Sequence, residues 1–473
     1  MNRIAYLFIA AILFVPTLSV AAPAPPVWSS QSDREEVSLT VYNSNLGLIR
    51  DRRNIVVPKG SSELRFMDVA AQIIPASVQV STFGNQIQVL EQNYEYDLLS
   101  PQKLLDKYVG KEVRLYQKNP YTEREEELKA TLLANNGSPI YKIGNDITFN
   151  HPGRVLFPEV PADLIASPTL VWLLEGSDTG KRQIEASYLT AGISWKADYV
   201  LTLGRDSSLA DLAGWVTIDN RSGATYRNAR LKLVAGDVNR VREDQQRPRM
   251  YKSAMMEAAG AAPQFKEEGL FEYHLYSLQR PSTIKDNQTK QISLLAAVAL
   301  PVRRELIMRA EQMWYGNSQG GGTTKQKVGV FVEFENRETT GLGMPLPKGT
   351  IRVYQQDTDA TLQFVGEDSI DHTPKDEKVR IKVGDAFDVS ATRRQADWRK
   401  LASDSFEAAW EVAITNHKKE DITVKVIEPM TGDWQVSDSS LPAVKSDSQA
   451  VEFSVPVKSG DKAILTYRVR VRY

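Results

Sequence analysis

Cysteine is absent from the 473 residues of this chain. Its absence excludes disulfides, thiolate metal centres, cysteine nucleophiles and an acylated N-terminal cysteine. Histidine is scarce: His151, His274, His372 and His417 are the only four, and they are too dispersed for a His-Glu-x-x-His zinc site. A charge surplus is also missing, with 58 Lys+Arg against 59 Asp+Glu. Near neutrality gives no global pull toward nucleic acid or an anionic membrane. Nucleophile elbows of the Gly-x-Ser-x-Gly type do not occur. Gly176-Ser-Asp-Thr-Gly180-Lys181-Arg182 is one residue short of a phosphate loop and lacks the hydroxyl after its lysine, so it reads as a turn. Hydrophobic residues are 42% and charged residues 25%, ordinary globular values that exclude collagen-like, wholly disordered and polytopic helical chains.

The first segment carries the clearest positive signal. Arg3 supplies a basic start, Ile4 to Val15 is almost wholly apolar, Pro16 interrupts it, and Ser19-Val20-Ala21 offers small residues at a cleavage site. Residues 1–21 therefore read as a cleavable export signal. The apolar run is too short for a membrane span, and no later segment reaches about 18 apolar residues, so the mature chain is expected to have no transmembrane helix. An exported chain without disulfides fits the periplasm or outer surface of a Gram-negative bacterium better than a eukaryotic secretory route.

Period-two alternation dominates the rest. In the last segment Leu465, Tyr467, Val469, Val471 and Tyr473 alternate with Thr466, Arg468, Arg470 and Arg472, as in a strand with one face on a core. Val37/Leu39/Val41, Val330/Val332/Phe334, Val379/Ile381/Val383, Trp410/Val412/Ile414 and Val451/Phe453/Val455/Val457 repeat the pattern. Turn residues separate them, among them Pro58-Lys59-Gly60, Asn136-Gly137, Pro347-Lys348-Gly349 and Ser459-Gly460-Asp461. One short helix is expected where Ser100 caps and Pro101 opens a segment stopped near Gly110. Arg394 to Leu401 is ambiguous between helix and strand.

The expected fold class is mainly β, with an antiparallel β-sandwich-type C-terminal domain, an N-terminal β region and an inserted small SH3-like barrel. The expected divisions are the signal at 1–21, the N-terminal β region at 22–95, the barrel-like insertion at 96–175, and the C-terminal sandwich domain at 180–473. Residues 242–269 lose all periodicity and read as a flexible excursion from that domain.

Residues 188 to 241 carry a recognisable stretch: Tyr188-Leu-Thr-Ala-Gly-Ile-Ser-Trp195-Lys-Ala-Asp-Tyr199, then Gly214-Trp215-Val-Thr-Ile-Asp-Asn220, then Leu231-Lys-Leu233-Val-Ala-Gly236-Asp237. With Phe364-Val-Gly-Glu367-Asp368-Ser-Ile-Asp371-His372-Thr-Pro374 and Gly384-Asp385-Ala386-Phe387-Asp388, it resembles the family of exported bacterial proteins known as domain of unknown function 4139. That family is related to mucoidy inhibitor A-like proteins. The resemblance covers roughly residues 37–95 and 180–473. It implies export and brings no assigned activity. Unlike the mucoidy-inhibitor type, this chain shows no long heptad segment before its β domain.

The densest polar constellation is Glu367, Asp368, Asp371 and His372, with Asp385 further on. Three or four carboxylates and an imidazole suit a hard divalent cation, so these five are the candidate metal ligands. The competing reading is a structured turn whose side chains bond backbone groups. No catalytic or cofactor-binding residue is nominated. Arg468, Arg470 and Arg472 read either as an anion-binding stripe or as a solvated face with cross-strand acidic neighbours. Trp195, Trp215, Tyr188 and Tyr199 suit core packing better than sugar stacking. The leading functional expectation is a non-enzymatic binding or scaffolding protein of the envelope, with a protein or glycan partner and no nucleic acid. The alternatives are a metal-dependent hydrolase of envelope polymers and an outer-membrane β-barrel, the latter prompted by the alternating, aromatic-ended last strand.

Overall fold

The computed structural model describes residues 25–83, 87–118, 124–161, 164–236, 238–239, 264–311 and 315–473. The segment read as a signal and most of the stretch read as an excursion lie outside the described residues. The end of that stretch is ordered pairing: Phe265–Leu270 is a strand opposite Tyr273–Leu278. The fold is mainly β, as the alternation predicts. The described residues form two compact units, one of those up to Val37 with Arg50–Tyr188, the other of Ser38–Ile49 with Leu189–Tyr473.

In the first unit, strands Val27–Ser29, Gly60–Phe66, Thr169–Gly176 and Ile87–Glu95 line up in that order. Thr169–Gly176 thus joins the N-terminal strands rather than the insertion. Among the described residues the insertion is a five-stranded antiparallel sheet lying between Glu112 and Leu156, with one helix, Pro101–Tyr108. The helix begins as its sequence dictates: the Ser100 side chain accepts from the Lys103 N–H and Pro101 occupies the first turn. It ends at Val109, and Gly110 takes φ +81°, a left-handed conformation that glycine adopts without strain. Leu104, Leu105 and Tyr108 pack on Val113, Leu115, Ala130, Leu132 and Tyr141. The strand order of this sheet is open, running from Asp146–Phe149 to Arg154–Leu156. Among the described residues no pairing joins these two edges into the barrel expected from the sequence.

Buried charge also holds this unit together. Arg53 is fully buried, bonds Asp51 at 2.8 Å and lies 3.5 Å over the Phe66 ring. Its remaining donors reach the Ser29 and Met67 carbonyls, and Arg34 completes the cluster at Asp51. A buried guanidinium must satisfy its donors in this way, since leaving them bare costs several kcal/mol.

The second unit contains a sheet ordered Gln288–Pro301, Leu209–Asn220, Ile193–Leu203, Gly349–Gln356, Leu362–Ile370. Trp195 and Tyr199 are buried here as core residues. The Trp195 indole donates to the Val234 carbonyl and the Tyr199 hydroxyl to the Pro347 carbonyl.

Among the described residues the C-terminal part of this unit is a sandwich of eleven strands. They are β1 (Arg303–Arg309), β2 (Thr323–Gln326), β3 (Val328–Glu335), β4 (Lys378–Asp385), β5 (Val389–Lys400), β6 (Ser405–Asn416), β7 (Ile422–Pro429), β8 (Asp433–Ser439), β9 (Val444–Asp447), β10 (Ala450–Val457) and β11 (Lys462–Arg472). One sheet runs β4-β3-β1-β7-β10-β9 and the other β2-β5-β6-β11-β8. The segment ambiguous in sequence, Arg394 to Leu401, is the end of strand β5 up to Lys400, with Leu401 just beyond it. Pairing is antiparallel except between β1 and β7, where Leu306 to Arg309 run parallel to Val424 to Ile427. A parallel neighbour requires a distant return of the chain, here more than a hundred residues later. Alternate residues of both sheets form one core, including Met308, Val424, Val426, Phe453, Trp410, Ile414, Leu465, Tyr467 and Val469. The alternation of the last strand therefore faces the interior of a sandwich, between β6 and β8.

Asparagines close the strand ends. Asn220 and Asn416 are fully buried. In each the side-chain carbonyl accepts the N–H two residues on, from Ser222 or Lys418, and the amide donates to the carbonyl four residues on, Ala224 or Glu420. The amide of each also reaches a distant turn, Lys285 or Lys458. Each side chain thereby satisfies backbone groups that leave the ladder.

Candidate functional site

At one end of the sandwich the chain crosses between sheets. β2 pairs with β5 in one sheet, Lys327 makes the step, and β3 enters the other sheet beside β1 and β4. The crossing leaves a cleft of about 750 Å³, within the range of small-molecule sites. Ile307, Ile427 and Phe331 give it apolar surface. Gly329 gives it depth, because a Cβ there would stand 2.7 Å from the Phe331 ring.

The polar lining is strongly one-sided. Arg309, Lys325, Lys327, Arg380, Lys382 and Arg393 are six cations against two carboxylates, Glu311 and Asp385. Lys327 and Lys382 clamp Asp385 from both sides at 3.1 and 2.8 Å. Their hydrogen bonds hold the Asp385 carboxyl below the usual carboxylate range. Arg380 bonds Glu333 at 2.7 Å and Glu305 at 3.3 Å. Burial alone would raise the Glu333 carboxyl, but the bonds from Arg380 and Arg303 outweigh it and hold it low. Arg393 reaches back into the core to the fully buried Glu428, at 2.8 Å. Arg309 and Lys325 are exposed, and neither has a carboxylate partner among the described residues. Such a cleft offers guanidinium and ammonium donors already gathered, with two of them free for a ligand anion.

The five residues singled out in the sequence do not gather. Glu367 and Asp368 are consecutive on one strand, so their side chains leave opposite faces. Glu367 pairs with Arg352 at 3.2 Å. Asp368 accepts from the Ser369 and Lys382 backbone N–H groups at 2.8 and 2.7 Å, tying its strand to β4. Beyond the strand end the Asp371 carbonyl accepts from the Thr373 hydroxyl. His372 Nδ1 accepts from the Lys348 N–H at 3.2 Å, and Thr373 bridges Leu346. These are the side chain–backbone bonds of a structured turn. Asp385 alone of the five lines the cleft, held by lysines. Among the described residues no three His, Asp or Glu side chains converge on one point.

The basic stripe on β11 is neutralised across strands. Arg470 and Arg468 share Glu407, Arg468 also meets Asp397, and Arg472 meets Asp404. Sequence reading missed the cleft cations, though part of their signal was present. Lys378, Arg380 and Lys382 alternate with Val379 and Ile381 and so share the solvent face of β4.

The sequence profile of a family described as Domain of unknown function (DUF4139) matches residues 184–473. No curated protein matches the chain.

Proposed function

The chain belongs to the DUF4139 family, and on that premise we propose that it is an exported, non-enzymatic binding protein of the bacterial envelope whose ligand site is the cationic cleft of the C-terminal sandwich. The observation that carries this reading is the surplus of cations in the cleft, with Arg309 and Lys325 left free while every neighbouring cation has a carboxylate. Holding like charges together is unfavourable, and a cleft that does so is suited to an anion. The leader-like residues 1–21 and the lack of cysteine support export to the periplasm or outer surface. The hydrolase alternative needs Glu367, Asp371 and His372 in one cleft, whereas Glu367 pairs with Arg352 and His372 Nδ1 accepts from the Lys348 N–H. The barrel alternative rested on the last strand, which packs inside a sandwich.

Site-specific photocrosslinking in intact cells tests the reading. A benzoylphenylalanine at Thr324, on the cleft wall, should give a reproducible adduct that the Arg309→Glu/Lys325→Glu variant loses. The same probe at Ser440, beyond the opposite edge of that sheet, should give none. Equal labelling at both positions, or none at Thr324, removes the cleft as a binding site.

A further inference from the structure

We infer that the cleft recognises a phosphoryl group, carried on a ligand whose body is compact and partly apolar, such as a sugar ring. The inference deepens the binding reading and rests on it. Three features select this chemistry over a simple carboxylate.

The cleft already contains a carboxylate, Asp385, clamped by Lys327 and Lys382. Arg309 and Lys325 are still uncompensated, so the remaining demand is for a group with more charge and more acceptor oxygens than one carboxylate supplies. The donors are also of mixed kind. Three lysine ammoniums are point charges able to meet oxygens from several directions, and the Arg309 guanidinium can bond two oxygens of one phosphoryl group. Finally, Ile307 and Ile427 are buried and Phe331 is half-exposed beside the glycine-made recess. A phosphate alone would leave this surface unused, whereas the flat apolar face of a sugar ring would cover it.

Asp385 then acts as an internal counterion. It holds Lys327 and Lys382 in place before a ligand binds and competes with the ligand for them. This assigns opposite signs to two substitutions: removing a free cation weakens binding, and neutralising Asp385 strengthens it. A cation site at Asp385 would give the reverse for Asp385→Asn.

The test is calorimetric titration of the mature chain with inorganic pyrophosphate at low and physiological salt. Saturable binding is expected, weakened at least tenfold in Arg309→Ala/Lys325→Ala, tightened severalfold in Asp385→Asn, and weakened by added salt. All three substituted residues are exposed, and unchanged circular dichroism and thermal midpoint establish that the variants fold. Titration with glucose 1-phosphate and co-sedimentation with phosphatidylcholine vesicles containing 30% phosphatidylglycerol separate the sources. Tighter binding of the sugar phosphate assigns a soluble ligand, and cleft-dependent sedimentation assigns a lipid headgroup. Failure of pyrophosphate to bind, or binding indifferent to Arg309, Lys325 and Asp385, overturns the phosphoryl assignment. A specific photoadduct at Thr324 alongside that failure would leave the cleft a binding site for some other ligand.

Discussion

Replacing Arg393 with Met isolates a buried ion pair in the core of the sandwich. Arg393 and Glu428 have side chains only 5% and 0% exposed. Two bonds join them, Nε to Oε1 at 3.1 Å and Nη2 to Oε2 at 2.8 Å, and the guanidinium lies 3.4 Å over the Trp410 ring. Met fills similar volume but strands Glu428 in the core, a loss of about 3–5 kcal/mol, with up to about 2 kcal/mol more from the lost cation–π contact. Glu428 can escape part of this by taking up a proton, since burial pushes its carboxyl up and Arg393 opposes that, with a smaller contribution from a Tyr467 hydrogen bond. The folded variant then binds one proton more than the unfolded chain. Its stability deficit should shrink as pH falls from 8 toward 5, by up to about 1.4 kcal/mol per unit. Arg393→Met/Glu428→Leu removes both charges and should lie within about 2 kcal/mol of the parent, or above it. Urea titration followed by tryptophan fluorescence at pH 8, 7, 6 and 5 measures all of this. A single-variant loss below about 1 kcal/mol, or a double variant as unstable as the sum of the singles, would mean that Arg393 and Glu428 are not a coupled buried pair.

Three further outcomes follow from the same geometry. Asp51, Glu185 and Glu333 are buried carboxylates that burial would raise but arginine partners hold below their usual range; folded values below unfolded ones give stability that is present above the unfolded range and lost as pH falls through the folded one. The urea midpoint should therefore be flat from pH 7 to 5 and drop below about pH 4. Asn416→Ala leaves the Lys418 N–H and the Glu420 and Lys458 carbonyls without their side-chain partner and should cost about 1–3 kcal/mol by the same assay, whereas Asn416→Asp should cost as much because it cannot donate. Intact mass of the protein from an envelope fraction should correspond to a chain beginning at Ala22, and recovery of the unprocessed chain from cytosol would contradict the export reading.

What the sequence revealed depended on how local the signal was. The final strand was legible because Leu465, Tyr467, Val469 and Val471 face a core while Arg468, Arg470 and Arg472 do not. The helix was legible because Ser100, Pro101 and Gly110 punctuate it within ten residues. Strand order was not: nothing near Leu306 announces its parallel neighbour Val424. The cleft failed for that reason, since Arg309, Lys325 and Lys382 come from three strands that only the crossing at Lys327 brings together. The acidic stretch misled in the opposite way. Glu367 and Asp368 are adjacent in the chain, and the period of two that builds the sheet sends them apart.

The cleft as ligand site is tested most directly by hydrogen exchange of the mature chain with and without saturating pyrophosphate. Slowed exchange is expected, confined to residues 309–311, 324–329 and 380–385 and abolished in Arg309→Ala/Lys325→Ala. Protection elsewhere with these segments unchanged, or no protection under conditions where calorimetry records binding, would contradict it.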